Sequence, residues 1–286
     1  MCQDCGCQAG NERVFGKMKE PPHSHDCDHH HHHGDCDHHH DHHHDHHHDH
    51  HHHPDHDHHH DHSSSGGESA GSRTIELETR VLAENDRLAA RNRAWLQERE
   101  VMTVNLISSP GSGKTLLLEK TLEALRGKCQ AAVIAGDQQT DNDAQRLSGK
   151  GAPVAQIETF SACHLDAGRL KPFLEKVVTE DTELLFIENV GNLVCPAAFD
   201  LGEHFKIALL SVTEGEDKPL KYPVLFADAP VVVLTKTDLV PHLEWDMAAC
   251  RKNIRKIRPD AKIFELSAKT GDGMASWLAY LMDLVR

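Results

Sequence analysis

Met102-Thr103-Val104-Asn105-Leu106-Ile107-Ser108 runs directly into Ser109-Pro110-Gly111-Ser112-Gly113-Lys114-Thr115 and then into Leu116-Leu117-Leu118-Glu119-Lys120. An apolar β-rich run, a glycine-bearing loop and a helix start therefore stand in that order. The Gly-x-Gly-Lys-Thr core reads as a phosphate-binding loop. Its glycines let backbone N–H groups turn inward onto phosphate oxygens. Lys114 is placed to reach the β and γ phosphates, and the Thr115 hydroxyl to ligate Mg²⁺. The helix that follows adds the positive end of its dipole. Pro110, Gly111, Ser112 and Gly113 complete the cradle. The first position of the eight-residue motif, usually Gly, is Ser108.

Working outward, short β-rich runs alternate with helical segments. The runs are 102–108, 131–136, 154–158, 184–190, 206–212, 230–235 and 261–267. Several are near-continuously apolar, as strands buried on both faces must be. Such alternation predicts an α/β fold, a doubly wound and mostly parallel sheet. Ligands of these folds bind at the carboxyl ends of the strands, where every motif of the body falls. Ahead of the first strand, residues 73–99 are rich in Glu, Arg, Leu and Ala. Ile75, Val81, Leu82, Leu88, Trp95 and Leu96 predict an amphipathic helix packed on the body, its charges forming a solvated face.

Three strand ends bear on the nucleotide. Val231–Leu234 leads into Thr235-Lys236-Thr237-Asp238, which resembles the Asn-Lys-x-Asp guanine motif of GTPases with Thr in place of Asn. The Asp238 carboxylate can accept two hydrogen bonds from guanine, and adenine offers no such donor pair. The Lys236 stem can cover the base plane. Ser267-Ala268-Lys269 follows the last strand, as the base-supporting loop of GTPases does. Together these make GTP the expected nucleotide. Glu188-Asn189-Val190-Gly191 resembles a switch loop, with a carboxylate for Mg²⁺ and a Gly191 N–H for the γ-phosphate. Asp137 is a second acid expected near Mg²⁺. Asp141 and Asp143 follow it in a polar segment that reads equally as a switch or as solvated loop.

The chain has 286 residues and a net charge of −15, from 30 basic and 45 acidic side chains. That excludes the basic face of a nucleic-acid binder. The charge is unevenly spread. Residues 1–62 hold 25 of the 28 histidines and carry 13 acids against 3 bases. Between Pro21 and His62 there is no Leu, Ile, Val, Phe, Met or Trp, so this stretch cannot build a core and is expected to be disordered. Four zones follow: a Cys-bearing head at 1–20, a His/Asp tract at 21–62, a Ser/Gly linker at 63–72 and a folded body at 73–286. No apolar run approaches the length of a membrane span. The start lacks the basic and apolar regions of a signal peptide. A cytoplasmic location is therefore expected, where clustered thiols read as metal ligands or redox groups before disulfides.

Cys2, Cys5 and Cys7 place three thiols within six residues. Thiolates so grouped suit one soft or borderline metal, and redox chemistry is the alternative. In the tract, Asp-His-His-His repeats run from Asp41 through His48 and on to Asp49 and His50–His53. Its imidazoles, among them His29, His30, His31, His38, His39, His40, His42, His46 and His50, suit nickel, zinc, copper or cobalt. The interrupting Asp residues distinguish the tract from a purification tag and keep it soluble. Imidazole titrates at about pH 6.5, so retention is expected to fail as pH drops through about 6. In the body, Cys163-His164 and the later Cys195 form a further candidate set. Cys195 lies four residues past Gly191, so a metal there would feel the state of the γ-phosphate. Metal ligands and buried small hydrophobes remain alternatives for these cysteines. Three ligands suit a site that is open or shared between two subunits. Cys129 and Cys250 have no such company and read as structural.

These features together resemble the HypB family, the nickel-inserting GTPases of NiFe-hydrogenase maturation. The resemblance spans the chain. It rests on the Cys-x-x-Cys-Gly-Cys head, the His tract, the 108–115 loop, Cys-His-Leu-Asp-Ala at 163–167, Glu-Asn-Val-Gly-Asn-Leu-Val-Cys-Pro at 188–196 and the Thr-Lys-Thr-Asp and Ser-Ala-Lys loops. Ser at the first loop position is that family's habit, and Thr235 departs from its more frequent Asn. The resemblance implies a SIMIBI-like P-loop GTPase and a high-affinity nickel site at Cys2, Cys5 and Cys7. It also implies a nickel or zinc site at Cys163, His164 and Cys195 on a dimer interface. Lys114, Thr115 and a nearby acid would serve GTP and Mg²⁺. A GTP-dependent homodimer, slow hydrolysis, a HypA-type metallochaperone partner and delivery to the hydrogenase large subunit follow, with the His tract adding nickel storage. Urease accessory GTPases of the UreG type are the nearest rival, but their usual Cys-Pro-His motif is absent. A nickel buffer whose nucleotide site only stabilises a dimer is the alternative from another class.

Overall fold

The computed structural model describes the backbone of residues 70–137, 142–159 and 162–286, and within these the side chains of 79–136, 144–159 and 162–286. The cysteine head, the His tract and the side chains of Asp137, Asp141 and Asp143 lie outside the described residues.

Seven strands form one sheet in the order β3-β2-β4-β1-β5-β6-β7. They are β1 (Met102–Ser108), β2 (Ala131–Asp137), β3 (Val154–Glu158), β4 (Leu184–Gly191), β5 (Phe205–Ser211), β6 (Val231–Thr235) and β7 (Lys262–Glu265). Every pairing is parallel, so the sheet is wholly rather than mostly parallel. The helices are α1 (Ala70–Gln97), α2 (Lys114–Leu125), α3 (Asn142–Leu147), α4 (Ala167–Val177), α5 (Cys195–Ala198), α6 (Lys218–Lys221), α7 (Pro223–Asp228), α8 (Met247–Ile257) and α9 (Met274–Leu284). No helix of the described residues is long and apolar enough to cross a membrane.

Period-two alternation divides each strand between two apolar layers. Val104, Leu106, Val133, Phe186, Leu209 and Val233 face α2 and α9, where Leu118, Leu122 and Trp277 meet them. On the opposite face, Ile134, Leu185 and Ile187 pack under Leu96 of α1 and Leu170 and Leu174 of α4. Beside them, Leu210, Val232 and Leu234 pack under Leu225 and Phe226 of α7 and Ile254 of α8. Burial on both faces is the reason these strands read as continuous apolar runs. Chain order reverses at β1, which lies between β4 and β5, and this places the ligand crevice above their carboxyl ends.

Helix α1 differs from its reading in two respects. It begins at Ala70, inside the stretch taken as linker, because Ala and the following Glu- and Arg-rich residues favour helix. Its buried face is Asn85, Ala89, Asn92 and Leu96, while Val81 is 51% exposed. The two asparagines dock it by hydrogen bonds. Asn92 Nδ2 donates to the Ala167 carbonyl at 2.9 Å and the Leu201 carbonyl at 3.2 Å, and Asn85 Nδ2 to the Asp200 carbonyl at 2.8 Å. Arg93, expected on a solvated face, holds both Asp200 oxygens at 2.7 Å.

Candidate nucleotide and metal site

The phosphate loop spans the turn from β1 to α2. Gly111 and Gly113 adopt φ of 72° and 95°, the left-handed region that other residues reach only with strain. Gly113 caps α2 without a side-chain hydrogen bond, leaving the first N–H groups of the helix directed at the crevice. The open cleft here has a volume of about 430 Å³ and is lined by Pro110 through Leu116, Arg146, Val190 and Gly191. Ser108, the departure from Gly, has a role of its own. Its hydroxyl accepts from Lys114 Nζ at 3.0 Å and from Ser112 Oγ at 2.5 Å. The lysine is thus held along the loop in a conformation poised for an anion.

Thr115 Oγ1 donates to Glu188 Oε1 at 2.7 Å, and both residues are buried. A hydroxyl and a carboxylate are hard oxygen donors, so this pair fits Mg²⁺. Asp137 ends β2 beside Glu158 in the pairing register, but its side chain lies outside the described residues. Gly191 sits against the loop so closely that a Cβ there would stand 3.0 Å from Pro110 Cα. A side chain at this position would press on Pro110 and require the loop to give way.

The end of β6 and the residue after it are bonded to the phosphate loop. Thr235 Oγ1 donates to the Ser112 carbonyl at 2.6 Å, and Lys236 Nζ to the Gly111 carbonyl at 2.6 Å. Thr235 thus ties the β6 end to the phosphate loop. Asp238 follows in a tight 3-10 turn, Thr237–His242. Just past neighbouring β7, the buried Ser267 hydroxyl accepts from Lys269 N at 3.3 Å and Thr270 N at 3.2 Å. That shapes the Ser267-Ala268-Lys269 loop, which meets the β6 end through Thr237 N and the Leu266 carbonyl.

Cys163, His164 and Cys195 come together. Their ligand atoms all lie within 4.8 Å of one another, and all three residues are half-buried. The two sulfurs are 2.9 Å apart, and Cys163 Sγ is 3.7 Å from His164 Nδ1. The His164 ring stacks on Phe199 with centroids 3.8 Å apart, which fixes its plane. Burial holds the imidazole below its ordinary pKa, opposed by the Asp166 charge. Two sulfurs and a neutral imidazole are the donor set of a borderline metal such as nickel or zinc. Cys129 and Cys250 are instead buried in the core, and burial pushes their thiols up to about 11 and about 12. They are structural.

Residues 102–265 match the family model described as the CobW/HypB/UreG nucleotide-binding domain. Over 210 residues the chain is 53% identical to hydrogenase maturation factor HypB of Azotobacter chroococcum, covering 73% of this chain and 69% of that protein. The chain belongs to the HypB family. The crystal structure of the Archaeoglobus fulgidus HypB matches with a TM-score of 0.68 at 39% identity, over 72% of this chain and all of that one. HypB of Helicobacter pylori, solved in complex with nickel, matches with a TM-score of 0.66 at 37% identity, over 70% and 94% of the two chains. As a HypB-family nucleotide-binding domain, the body carries its phosphate loop at the carboxyl end of β1.

Several residues of the site escaped the motif reading. Arg146 lines the phosphate cleft, where Glu119 of α2 holds its guanidinium at 3.0 Å. Asn105, in mid-strand, joins Asn189 of the switch to Glu203 through bonds of 3.3 and 3.0 Å. Burial raises the Glu203 carboxyl, and the Asn105 hydrogen bond opposes that shift. A polar residue inside an apolar run was the available signal for Asn105. Arg146 had none beyond its closeness to the phosphate loop in space.

Proposed function

We propose that this chain is a GTP-hydrolysing nickel metallochaperone that stores nickel and delivers it for maturation of the NiFe-hydrogenase active site. One observation carries the reading: the Cys163–His164–Cys195 cluster stands at the end of the strand whose Gly191 packs on the phosphate loop. The nickel complex of the H. pylori relative supports the choice of metal.

In this reading Pro110, Gly111, Ser112 and Gly113 wrap the phosphates, and Lys114 leaves Ser108 to neutralise them. Thr115 and Glu188 hold Mg²⁺, with Asp137 nearby, and the ion supplies charge neutralisation when bound. Asp238 reads guanine while Lys236, Ser267, Ala268 and Lys269 enclose it. The γ-phosphate meets the Gly191 N–H and so reorders the residues leading to Cys195. The work of nickel release comes from the different affinity of the two nucleotide states for metal or partner. Turnover is slow, because Arg146, the arginine lining the cleft among the described residues, is engaged by Glu119 rather than aimed at a phosphate.

A three-ligand cluster is completed across a GTP-dependent homodimer. Val194, 62% exposed beside Cys195, is an apolar side chain that a second subunit would cover. Cys2, Cys5 and Cys7 form the high-affinity nickel site, and the His tract of residues 21–62 is the store. Nickel, or zinc in its place, sits at the body cluster. Transfer runs through a HypA-type metallochaperone to the hydrogenase large subunit, in the cytoplasm, where thiols stay reduced.

The test is a strain lacking the gene, assayed for hydrogenase and urease with and without added nickel. Lost hydrogenase activity, restored in part by nickel while urease stays normal, is the expected result. Lost urease with intact hydrogenase would move the chain to the UreG role. A defect seen only in nickel scarcity would leave storage as its task.

A further inference from the structure

The pairing of β1 with β4 is irregular at one place. Leu106 lies opposite Glu188, but Ser108 lies opposite Gly191, so β4 bulges at Asn189–Val190. A bulge re-aims the side chains around it, and the asparagines on either side of Gly191 use that freedom differently. Asn189 turns inward. Its Oδ1 accepts from Val190 N at 3.0 Å and Leu165 N at 3.4 Å, and its Nδ2 donates to Asn105. Asn192 turns toward the metal cluster. Its Nδ2 donates to the Cys163 carbonyl at 3.4 Å, and its Oδ1 accepts from Val194 N at 2.9 Å. Its own N–H donates to the Val190 carbonyl at 2.8 Å, across Gly191.

One side chain on the Cys195 loop therefore ties that loop to the Cys163 loop. It holds the backbone carbonyl of Cys163 and, within its own loop, the N–H of the Leu193–Val194 peptide. It does so from the residue next to the glycine that touches Pro110 of the phosphate loop. The path from phosphate to sulfur is short and consists of named contacts: Pro110, Gly191, Asn192, then Cys163 and Val194.

We propose that Asn192 is the positioning residue that transmits nucleotide state to the metal cluster, by moving the Cys163 and Cys195 loops together when Gly191 moves. The proposal rests on the nucleotide-gated nickel reading above and names the residue through which the gate acts. A shift of Gly191 rotates the Asn192 backbone, and the amide pulls on two loops that are otherwise 32 residues apart in the chain. The sulfur–sulfur separation then changes, and with it the fit of a metal that takes both. Asn192 is neither in the lining of the phosphate cleft nor in the Cys163–His164–Cys195 set.

The test uses the full chain with Cys2, Cys5, Cys7, Cys27 and Cys36 replaced by Ser, so that thiolate-to-nickel absorption reports the body cluster, Cys129 and Cys250 being buried in the core. The His tract stays in every sample as the same competitor. Ni²⁺ is titrated with GDP bound and with a non-hydrolysable GTP analogue bound, and the ratio of the two midpoints is the coupling. For the parent a ratio within about 5- to 150-fold is expected. Asn192→Ala should bring the ratio to about 1, with nucleotide affinity measured without metal unchanged. Asn192→Asp keeps the acceptor for Val194 N and loses the donor to Cys163, so it should show an intermediate ratio. By linkage, nickel must shift nucleotide affinity by the same factor in each protein. A parental ratio in Asn192→Ala, or in Asn192→Asp should the alanine variant fail to fold, overturns the proposal and leaves the gating reading intact. A ratio of about 1 in the parent itself overturns the reading and the proposal with it.

Discussion

The phosphate loop and the metal cluster lie at the same edge of the sheet, yet they are built in opposite ways. The loop is eight contiguous residues whose shape follows from backbone preference: two glycines at positive φ, a helix start and a serine that holds the lysine. The cluster takes two loops separated by 32 residues, and side-chain amides hold them in place rather than any preference of the loops themselves. A contiguous site is rigid from its own covalent geometry. An assembled site is only as fixed as its clamps, and for that reason it can respond to something else. In the proposed reading the loop is the fixed anchor and the cluster the adjustable receiver.

The largest effect that would break this contrast is at the anchor. Lys114→Ala removes the ammonium held by Ser108 along the loop, and nucleotide hydrolysis, followed as phosphate release, should fall about 10²- to 10³-fold. Normal turnover in that variant would show that the loop is not the reacting site. At the receiver, Cys195→Ser removes a ligand. Nickel affinity of the body cluster, read by thiolate absorption, should fall by more than the roughly 10- to 100-fold that loss of an outer partner costs. Phe199→Ala removes such an outer partner, the ring that orients His164, and should fall within that range. Equal affinities in the two variants would mean that ligand and support are not distinguishable here.

Smaller effects sharpen the picture of what braces the anchor. Thr235→Val loses the hydroxyl bonded to the Ser112 carbonyl. A neutral hydrogen bond contributes about 1 kcal/mol, so GTP affinity should weaken roughly fivefold. Thr235→Asn should retain it, because its amide can donate to the same carbonyl. The smallest effect concerns the ion cluster between α2 and α3. Lys150 and Lys120 hold the exposed Glu123 carboxyl down to about 2, and Lys150 with Arg146 lowers that of Glu119. Carboxylates with lowered pKa contribute stability above their ordinary value and lose it as the pH falls through the folded one. The contribution should therefore be whole above about pH 4.5 and decline toward pH 2. Lys150→Met should reduce the acid sensitivity of thermal unfolding across that window, by a small amount because the groups face solvent.

How much was legible in advance follows the same division. The strands were readable because two-sided burial imposes apolar runs, and the phosphate and base motifs because their chemistry needs particular residues side by side. The ends of β1 and β3 match the read ones, and the other five strands differ at one or both ends by a residue or two, as hydrogen bonding rather than composition sets them. The face of α1 was only partly readable. Asn85 and Asn92 occupy positions that a hydrophobic pattern assigns to apolar residues, and they are satisfied by carbonyls of distant loops. A buried amide is indistinguishable from a misplaced polar residue in the local pattern, because its partners lie far along the chain.

The amino-acid sequence by itself determined the α/β architecture, the phosphate loop and the family, since each depends on neighbours along the chain. Only the tertiary structure decided that Cys163 and Cys195 meet, that Thr235 braces Ser112, that Arg146 enters the phosphate cleft and that Asn192 ties the two cysteine loops together. Those contacts depend on strand order, on the bulge in β4 and on which loops the sheet brings to one edge. Parallel strands are joined by long crossovers, so residues far apart in sequence become neighbours through pairing register, a quantity that no local stretch of the chain specifies.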